Sequence, residues 1–166
     1  LNTYLPRSIA VVSCFEEVEE FHPRFSAIGK TYRYCLLLRQ APSPLQRHRS
    51  WHRPTPLDVL AMEEAASALV GEHDFSAFRA SGCGARHPRR RISSIDFENN
   101  GESLDIVVRG NAFLRHMVRI IVGTLVEVGE RKRSIDSMVR VLQAKDRTKA
   151  GITAPPQGLT LVKVHY

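Results

Sequence analysis

Apolar and polar positions alternate in blocks that change period along the chain. SIAVVSC at residues 8–14 is a short β-branched apolar run, and TYRYCLLL at 31–38 is a second one carrying aromatics. Both predict strands. Residues 40–56, QAPSPLQRHRSWHRPTP, are rich in proline and basic side chains, lack apolar periodicity and predict an exposed connection. Thr55, Pro56 and Asp58 then offer an N-cap, a proline at the first helical position and an acid three residues after the cap, so a helix is expected from there. Leu57, Leu60, Ala61, Ala65, Ala68 and Leu69 would line its buried face, and Gly71 would stop it.

The period returns to two over residues 92–98 and 103–109, which flank Asn99, Asn100 and Gly101 and predict a β-hairpin. Residues 112–128 hold Phe113, Met117, Val118, Ile120, Ile121, Val122, Leu125, Val126 and Val128, too apolar all round for a surface helix, and predict a central buried one. Ser134 would cap a shorter amphipathic helix with Ile135, Met138, Val139 and Leu142 facing inward, and LTLVKVHY predicts a final strand. Strands alternating with helices, with a hairpin among them, give an α+β layered fold, read as a single domain over 1–166. No internal repeat and no linker divides the chain.

A 43% hydrophobic fraction over 166 residues is enough for a packed core without disulfides or metals. The formal net charge of +7 favours a polyanionic partner. Cys14, Cys35 and Cys83 are an odd set without CxxC spacing, so neither a disulfide framework nor a zinc knuckle is indicated, and a reducing cytoplasm is expected. No stretch approaches about 18 uninterrupted apolar residues, and no signal-peptide pattern opens the chain, so neither membrane insertion nor secretion is expected. The absence of GxSxG, of a phosphate-cradling glycine loop, of HExxH and of histidines at ligand spacing argues against hydrolase and metalloenzyme chemistry. His73 beside Asp74 is more naturally capping or solvation than an acid/base pair.

Three features could carry chemistry. Arg115, His116 and Arg119 sit inside the most apolar stretch, with Arg115 and Arg119 at i and i+4. A guanidinium in apolar surroundings needs a carboxylate or phosphate, and Glu127 is too far along the helix to serve Arg119. The arginines either snorkel or pair within the domain, or they await a partner from outside the chain. Around Arg24, the run FHPRFSAIGKTYRYCLL mixes Arg24, Lys30 and Arg33 with Phe21, Phe25, Tyr32 and Tyr34, a blend that suits unstacked bases as well as a half-buried aromatic strand. On a strand, Tyr32 and Tyr34 share one face and Arg33 takes the other. Residues 79–91 concentrate Arg79, Arg86, Arg89, Arg90 and Arg91 around Gly82 and Gly84, either a phosphate-binding loop or a solvated charge run.

FHPRFSA followed by KTYRY, GEHDFSAFR, NAFLRHMVRIIVGTLVEVG, AKDRT and GLTLV, in that order and spacing, closely resembles the bacterial tRNA pseudouridine synthase A family. The resemblance runs over nearly the entire chain, and NAFLRHMVR is its most specific part. It implies half of a pseudouridine synthase fold, a mixed, mostly antiparallel sheet with helices packed on one face. The implied enzyme detaches uracil from its ribose, rotates it and rejoins it through carbon, at uridines of the tRNA anticodon stem-loop and without a cofactor or metal. By motif, Tyr32 would stack on the flipped uracil, Arg119 would pair with the catalytic aspartate, and Leu159 and His116 would belong to the pocket. Arg24, Lys30, Arg33, Arg79, Arg86, Arg89, Arg90, Arg91 and Arg115 are the candidate RNA contacts. Family enzymes are homodimers, which makes a dimer expected.

The departure lies in the aspartate. The family carries it in a GRTDAGVHA-like segment of the amino-terminal half, and none of Asp58, Asp74, Asp96, Asp105, Asp136 or Asp146 sits in such a context. The chain is therefore expected to be the carboxy-terminal half of the enzyme, inactive without its other half. A non-enzymatic RNA-binding module is the alternative.

Overall fold

The computed structural model describes all residues, 1–166. Its frame is a six-stranded sheet made of β1 (Gly29–Leu37), β2 (Trp51–His52), β3 (Gly71–Asp74), β4 (Arg89–Asn100), β5 (Ser103–Gly110) and β6 (Leu159–His165). The helices are α1 (Val59–Ser67), α2 (Met117–Gly129) and α3 (Ser137–Ala144). The order is β2-β1-β5-β4-β3, with β6 also lying against β1. The short β1–β2 pairing is parallel and every other pairing is antiparallel, so the α+β reading and the mixed, mostly antiparallel sheet both hold.

β1 is the spine. β5 runs along one side from Lys30↔Gly110 to Leu37↔Ser103, and β6 takes the other from Gly29↔His165 to Tyr34↔Leu159. Because side chains alternate, Tyr34 and Leu36 share a face with Leu104, Ile106 and Val108 of β5, and all five are fully buried under the helices. The opposite face carries Arg33, Asp105, Arg109 and Asp96, paired as Arg33–Asp105 at 3.7 Å and Arg109–Asp96. A charged face of this kind needs no covering layer, so the helices are confined to one side. The hairpin forms as its alternation predicts, and Gly101, at φ +71°, takes the first central position of the two-residue turn, where a type II′ turn needs glycine.

Several expectations fail. Residues 8–14 form no strand: Val12 is 98% exposed, and Asn2 clasps Val11 through two side-chain bonds of 2.9 and 2.7 Å. A β-branched run becomes a strand only where a neighbour completes its ladder, and nothing lies beside this one. The first helix is capped at Asp58, not Thr55. Its carboxylate accepts from Ala61 N at 3.2 Å, while its own N–H donates to the Gly129 carbonyl, holding residues 55–57 outside the helix. The buried stripe is Met62, Ala65, Ala66 and Leu69, and Leu60 is exposed. Gly71, at φ +112°, opens β3 instead of stopping the helix, and four residues are too few to have shown a strand period.

The central helix begins at Met117, five residues later than expected. His116 sits ahead of it in a left-handed conformation, φ 59°. Arg115 and Arg119 therefore do not share a helical face. α3 begins at Ser137 after Asp136, while the expected cap, Ser134, accepts from Arg140 at 2.8 Å.

Candidate active site

A cleft of about 300 Å³ opens where the amino end of α2 meets β1 and the start of β6. Tyr32 and Leu159 contribute from the strands, Arg119 from the first turn of α2, and Phe113, Leu114, Arg115 and His116 from the irregular stretch before it, with Pro156 closing the side. Tyr32 lines the cleft and makes an edge-to-face contact with Phe113, ring centroids 5.1 Å apart, which restrains the tyrosine plane. Burial raises the Tyr32 phenol above its usual 10, so it stays protonated. His116 is exposed, and its pKa is lowered by desolvation, by Arg119 and by Arg115, leaving the imidazole neutral at pH 7.

Arg119 is held by a strap. Its Nε donates to the Ala154 carbonyl at 2.7 Å, and Ala154 N donates back to the Arg119 carbonyl at 3.0 Å. The strap lies flat on α2 because Gly123 has no side chain: a Cβ there would lie far inside contact distance of the Ile152 carbonyl oxygen. Gly151 N reaches Thr124 Oγ1 and Ile152 N reaches Glu127 Oε1, each at 3.0 Å. Tyr34 fastens the far end by donating to the Pro155 carbonyl at 2.7 Å. Burial pushes that phenol well above its ordinary range, against the opposing pull of Arg119. The terminal nitrogens of Arg119 bond to no acid of this chain, and Glu127 is engaged by Arg133 at 2.5 Å.

A second concavity of about 410 Å³ crosses the end of the sheet where β1 begins and β5 ends, with Lys30, Arg91, Arg109 and His165 on its walls. Lys30 pairs with Gly110, three residues before Phe113, so this basic groove adjoins the cleft.

Comparison with known proteins adds the decisive observation. A family model described as tRNA pseudouridine synthase matches residues 65–166. A tRNA pseudouridine synthase A of Geobacter sp. (strain M21) is 50% identical over the whole chain and 68% of its own length. Those of Myxococcus xanthus and Paramagnetospirillum magneticum are 49% and 48% identical, again over the whole chain, with 63% and 65% of their own length covered. The chain belongs to the tRNA pseudouridine synthase family. It spans about two thirds of the length of these relatives.

The residues nominated from the sequence, by motif or by clustered charge, separate in the fold. Tyr32, Arg119, Leu159, His116 and Arg115 meet at the cleft, and Lys30 and Arg91 meet at the groove beside it. Arg33 faces the opposite side of the sheet, and Arg24 lies in an exposed turn over the Phe25 ring. Cations of the 79–91 loop are partly spent on the loop itself. Arg79 donates to the Cys83 carbonyl, Arg90 to the His87 carbonyl, and Arg89 approaches Glu72 at 3.9 Å, while Arg86 is exposed with no acid near it. Arg115 folds onto this loop, donating to the carbonyls of Ser81 and Gly82 at 3.2 and 3.3 Å.

Sequence reasoning missed Phe113 as the partner of Tyr32 and missed the 150–156 strap altogether. The proximity of Phe113 to the family motif was a usable signal; the strap had none, since only the fold brings it to α2. No aspartate lines the cleft of this family member. Asp58 caps α1, Asp74 accepts from Ser76, Asp96 and Asp105 pair across the open sheet face, Asp136 precedes α3, and Asp146 accepts from Thr148. His73 bonds to the Val70 carbonyl, so it forms no acid/base pair with Asp74.

Proposed function

We propose that the chain forms one wall of the reaction pocket of a tRNA pseudouridine synthase acting on uridines of the anticodon stem-loop. In this reaction the C1′–N1 bond of a flipped uridine breaks and a C1′–C5 bond forms, with the C5 hydrogen released and N1 gaining a proton. Tyr32 stacks on the extruded base, repaying part of the cost of unstacking it. Arg119 orients a carboxylate nucleophile by a charge-assisted hydrogen bond. Leu159 and Phe113 keep the pocket apolar, and His116 and Arg115 border the entrance. No cofactor is required by this chemistry.

The single observation that carries the reading is the convergence of Tyr32, Leu159 and Arg119 on one cleft with the outer nitrogens of Arg119 unpaired by any acid of the chain. The nucleophilic aspartate is accordingly assigned to a segment outside these 166 residues, the amino-terminal half inferred from motif. Lys30 and Arg91, continued by Arg79, Arg86, Arg89 and Arg90 of the basic loop, would track the RNA backbone, with Arg24 and Arg33 as outlying contacts. β6 pairs only with β1, and Leu161 and Val162 on it are exposed, which supports further sheet pairing by that half and a homodimeric enzyme. Three free cysteines fit a cytoplasmic setting. No helix is long and apolar enough to cross a membrane.

Tritium release from tRNA labelled at uracil C5 tests the assignment. The chain alone should release none, the chain joined to a family amino-terminal segment should turn over, and Arg119→Lys in the joined protein should lower the rate at least about a hundredfold, since a lysine cannot reproduce the guanidinium fork. Release by the chain alone would overturn the placement of the nucleophile. In filter binding, Tyr32→Ala should cost little affinity for folded tRNA; a large loss toward any single strand would instead mark a non-enzymatic RNA-binding module.

A further inference from the structure

The other end of α2 ends in a second basic site. Twelve residues of helix separate Met117 from Gly129, roughly 18 Å at 1.5 Å per residue, so this site lies well away from the cleft that holds Tyr32. There a cleft of about 490 Å³ runs along one face of α3, from Ser134 and Ser137 at its amino end past Arg140 and Val141 to Ala144, with Lys132, Arg133 and Lys149 on its other walls and no acidic residue. Asp136, just ahead of the helix, is exposed and does not line it.

Two of the four cations are already neutralised. Arg133 binds Glu127 at 2.5 Å and Lys132 binds Glu130 at 2.7 Å. The other two are not: Arg140 donates only to Ser134 Oγ at 2.8 Å, and the Lys149 ammonium has no partner. Ser137 supplies the independent observation. It is 6% exposed, and its hydroxyl is buried with no hydrogen-bond partner. Buried hydroxyls are rarely left unsatisfied, and one in the first turn of a helix that lines the same cleft as two free cations is the arrangement expected of an anion site.

We propose that this cleft is a remote RNA-phosphate site, in which Arg140, Lys149 and the Ser137 hydroxyl hold a backbone phosphate of the same RNA whose uridine enters the reaction cleft. The assignment of the anion to RNA rests on the tRNA reading above. A phosphodiester suits the site because it presents two unesterified oxygens at single negative charge, enough for one guanidinium and one ammonium while the hydroxyl donates to either oxygen. The rigid α2 between the two sites makes the spacing a fixed ruler, so a folded RNA reaching both gains affinity that a short strand cannot.

The test compares wild type with Arg140→Gln/Lys149→Gln, using two probes. Titration with inorganic phosphate should shift the backbone amide signals around Ser137 in wild type and leave them still in the double variant. Across a salt series, tRNA affinity should fall about tenfold in the double variant and its salt slope should flatten by about one, whereas a short single-stranded oligonucleotide should bind both proteins alike. Ser137→Ala should weaken phosphate binding without lowering the melting temperature, since the hydroxyl it removes stabilises nothing in the free protein.

Phosphate shifts combined with unchanged tRNA affinity would overturn the RNA assignment, and the absence of phosphate shifts would overturn the site itself. The tRNA arm uses both proteins joined to the family amino-terminal segment, and failure of the joined wild type to bind tRNA at all would sink the tRNA reading and with it the RNA assignment. The phosphate titration would still report separately on the anion site.

Discussion

Gly123→Ala sets two effects of opposite sign against each other. Alanine is the better helix former by about 1 kcal/mol in a helix interior, so on propensity alone the change should stabilise α2. The structure gives the other sign. The added Cβ would lie far inside contact distance of the Ile152 carbonyl oxygen, 2.9 Å from its carbon and 3.3 Å from Ala154 N, all backbone atoms that cannot swing aside. The strap must lift, and four hydrogen bonds depend on its position: Gly151 N to Thr124, Ile152 N to Glu127, Ala154 N to Arg119 O, and Arg119 Nε to Ala154 O. At about 1 kcal/mol each, somewhat more for the two involving charged side chains, loss of two or three costs roughly 2–4 kcal/mol. Net of the propensity gain, a destabilisation of about 1–3 kcal/mol remains, which at this chain length lowers Tm by about 3–10 °C. Thermal unfolding followed by circular dichroism reads this directly. Gly84, with nothing within 4 Å of its Cβ position, is the control, and Gly84→Ala should be near neutral. A Gly123→Ala protein that melts at or above the wild-type temperature would refute the strap as the element that holds Arg119.

Two further outcomes follow from the ionisable groups. His116 should titrate below 6.5 by NMR, because desolvation, Arg119 and Arg115 all oppose its protonation. Since its folded pKa is the lower one, its contribution to stability is complete above about pH 6.5 and lost as pH falls through the folded value. Arg115→Ala should move the midpoint upward, and a midpoint at or above 6.5 in the wild type would contradict the clustering of cations at the cleft. Among the thiols, burial and the neighbouring Asp105 carboxylate push Cys35 up to about 12, while the Arg115 N–H and neighbouring arginines draw Cys83 below its usual value. At pH 8 a thiol-reactive dye should label Cys83 quickly and Cys35 slowly, with the reverse order arguing against the Arg115–Cys83 contact.

What the sequence made legible was whatever depends on near neighbours. The hairpin, β1, β6 and the apolar body of α2 all follow from period and turn chemistry within about a dozen residues. The cleft residues Tyr32, Arg119 and Leu159 were nominated from motifs, and the fold brings them together from three separate elements. Failures fall where a distant partner decides. Thr55 and Asp58 are both adequate caps, and the Gly129 carbonyl, seventy-one residues away, selects Asp58. Residues 8–14 have strand character but no neighbour. The left-handed turn at His116 is invisible because a histidine there looks like one more helical position, although it separates Arg115, bound to the basic loop, from Arg119, bound to the strap.

The placement of β6 has a consequence for how the protein is made. β1 emerges from the ribosome well before its two flanks, β5 and β6, which lie some 75 and 130 residues later in the chain. Such distant pairings are slow to close. Pro156 and Leu159, and the Ala154 carbonyl that holds Arg119, arrive with the β6 region. A chain still being translated can thus assemble the hairpin and α2 while its pocket lacks a wall. The cleft is complete only once residues 154–159 have been made, so a chain that stalls before residue 154 holds Tyr32 and Arg119 without the strap that fixes the arginine and without the Pro156 and Leu159 wall.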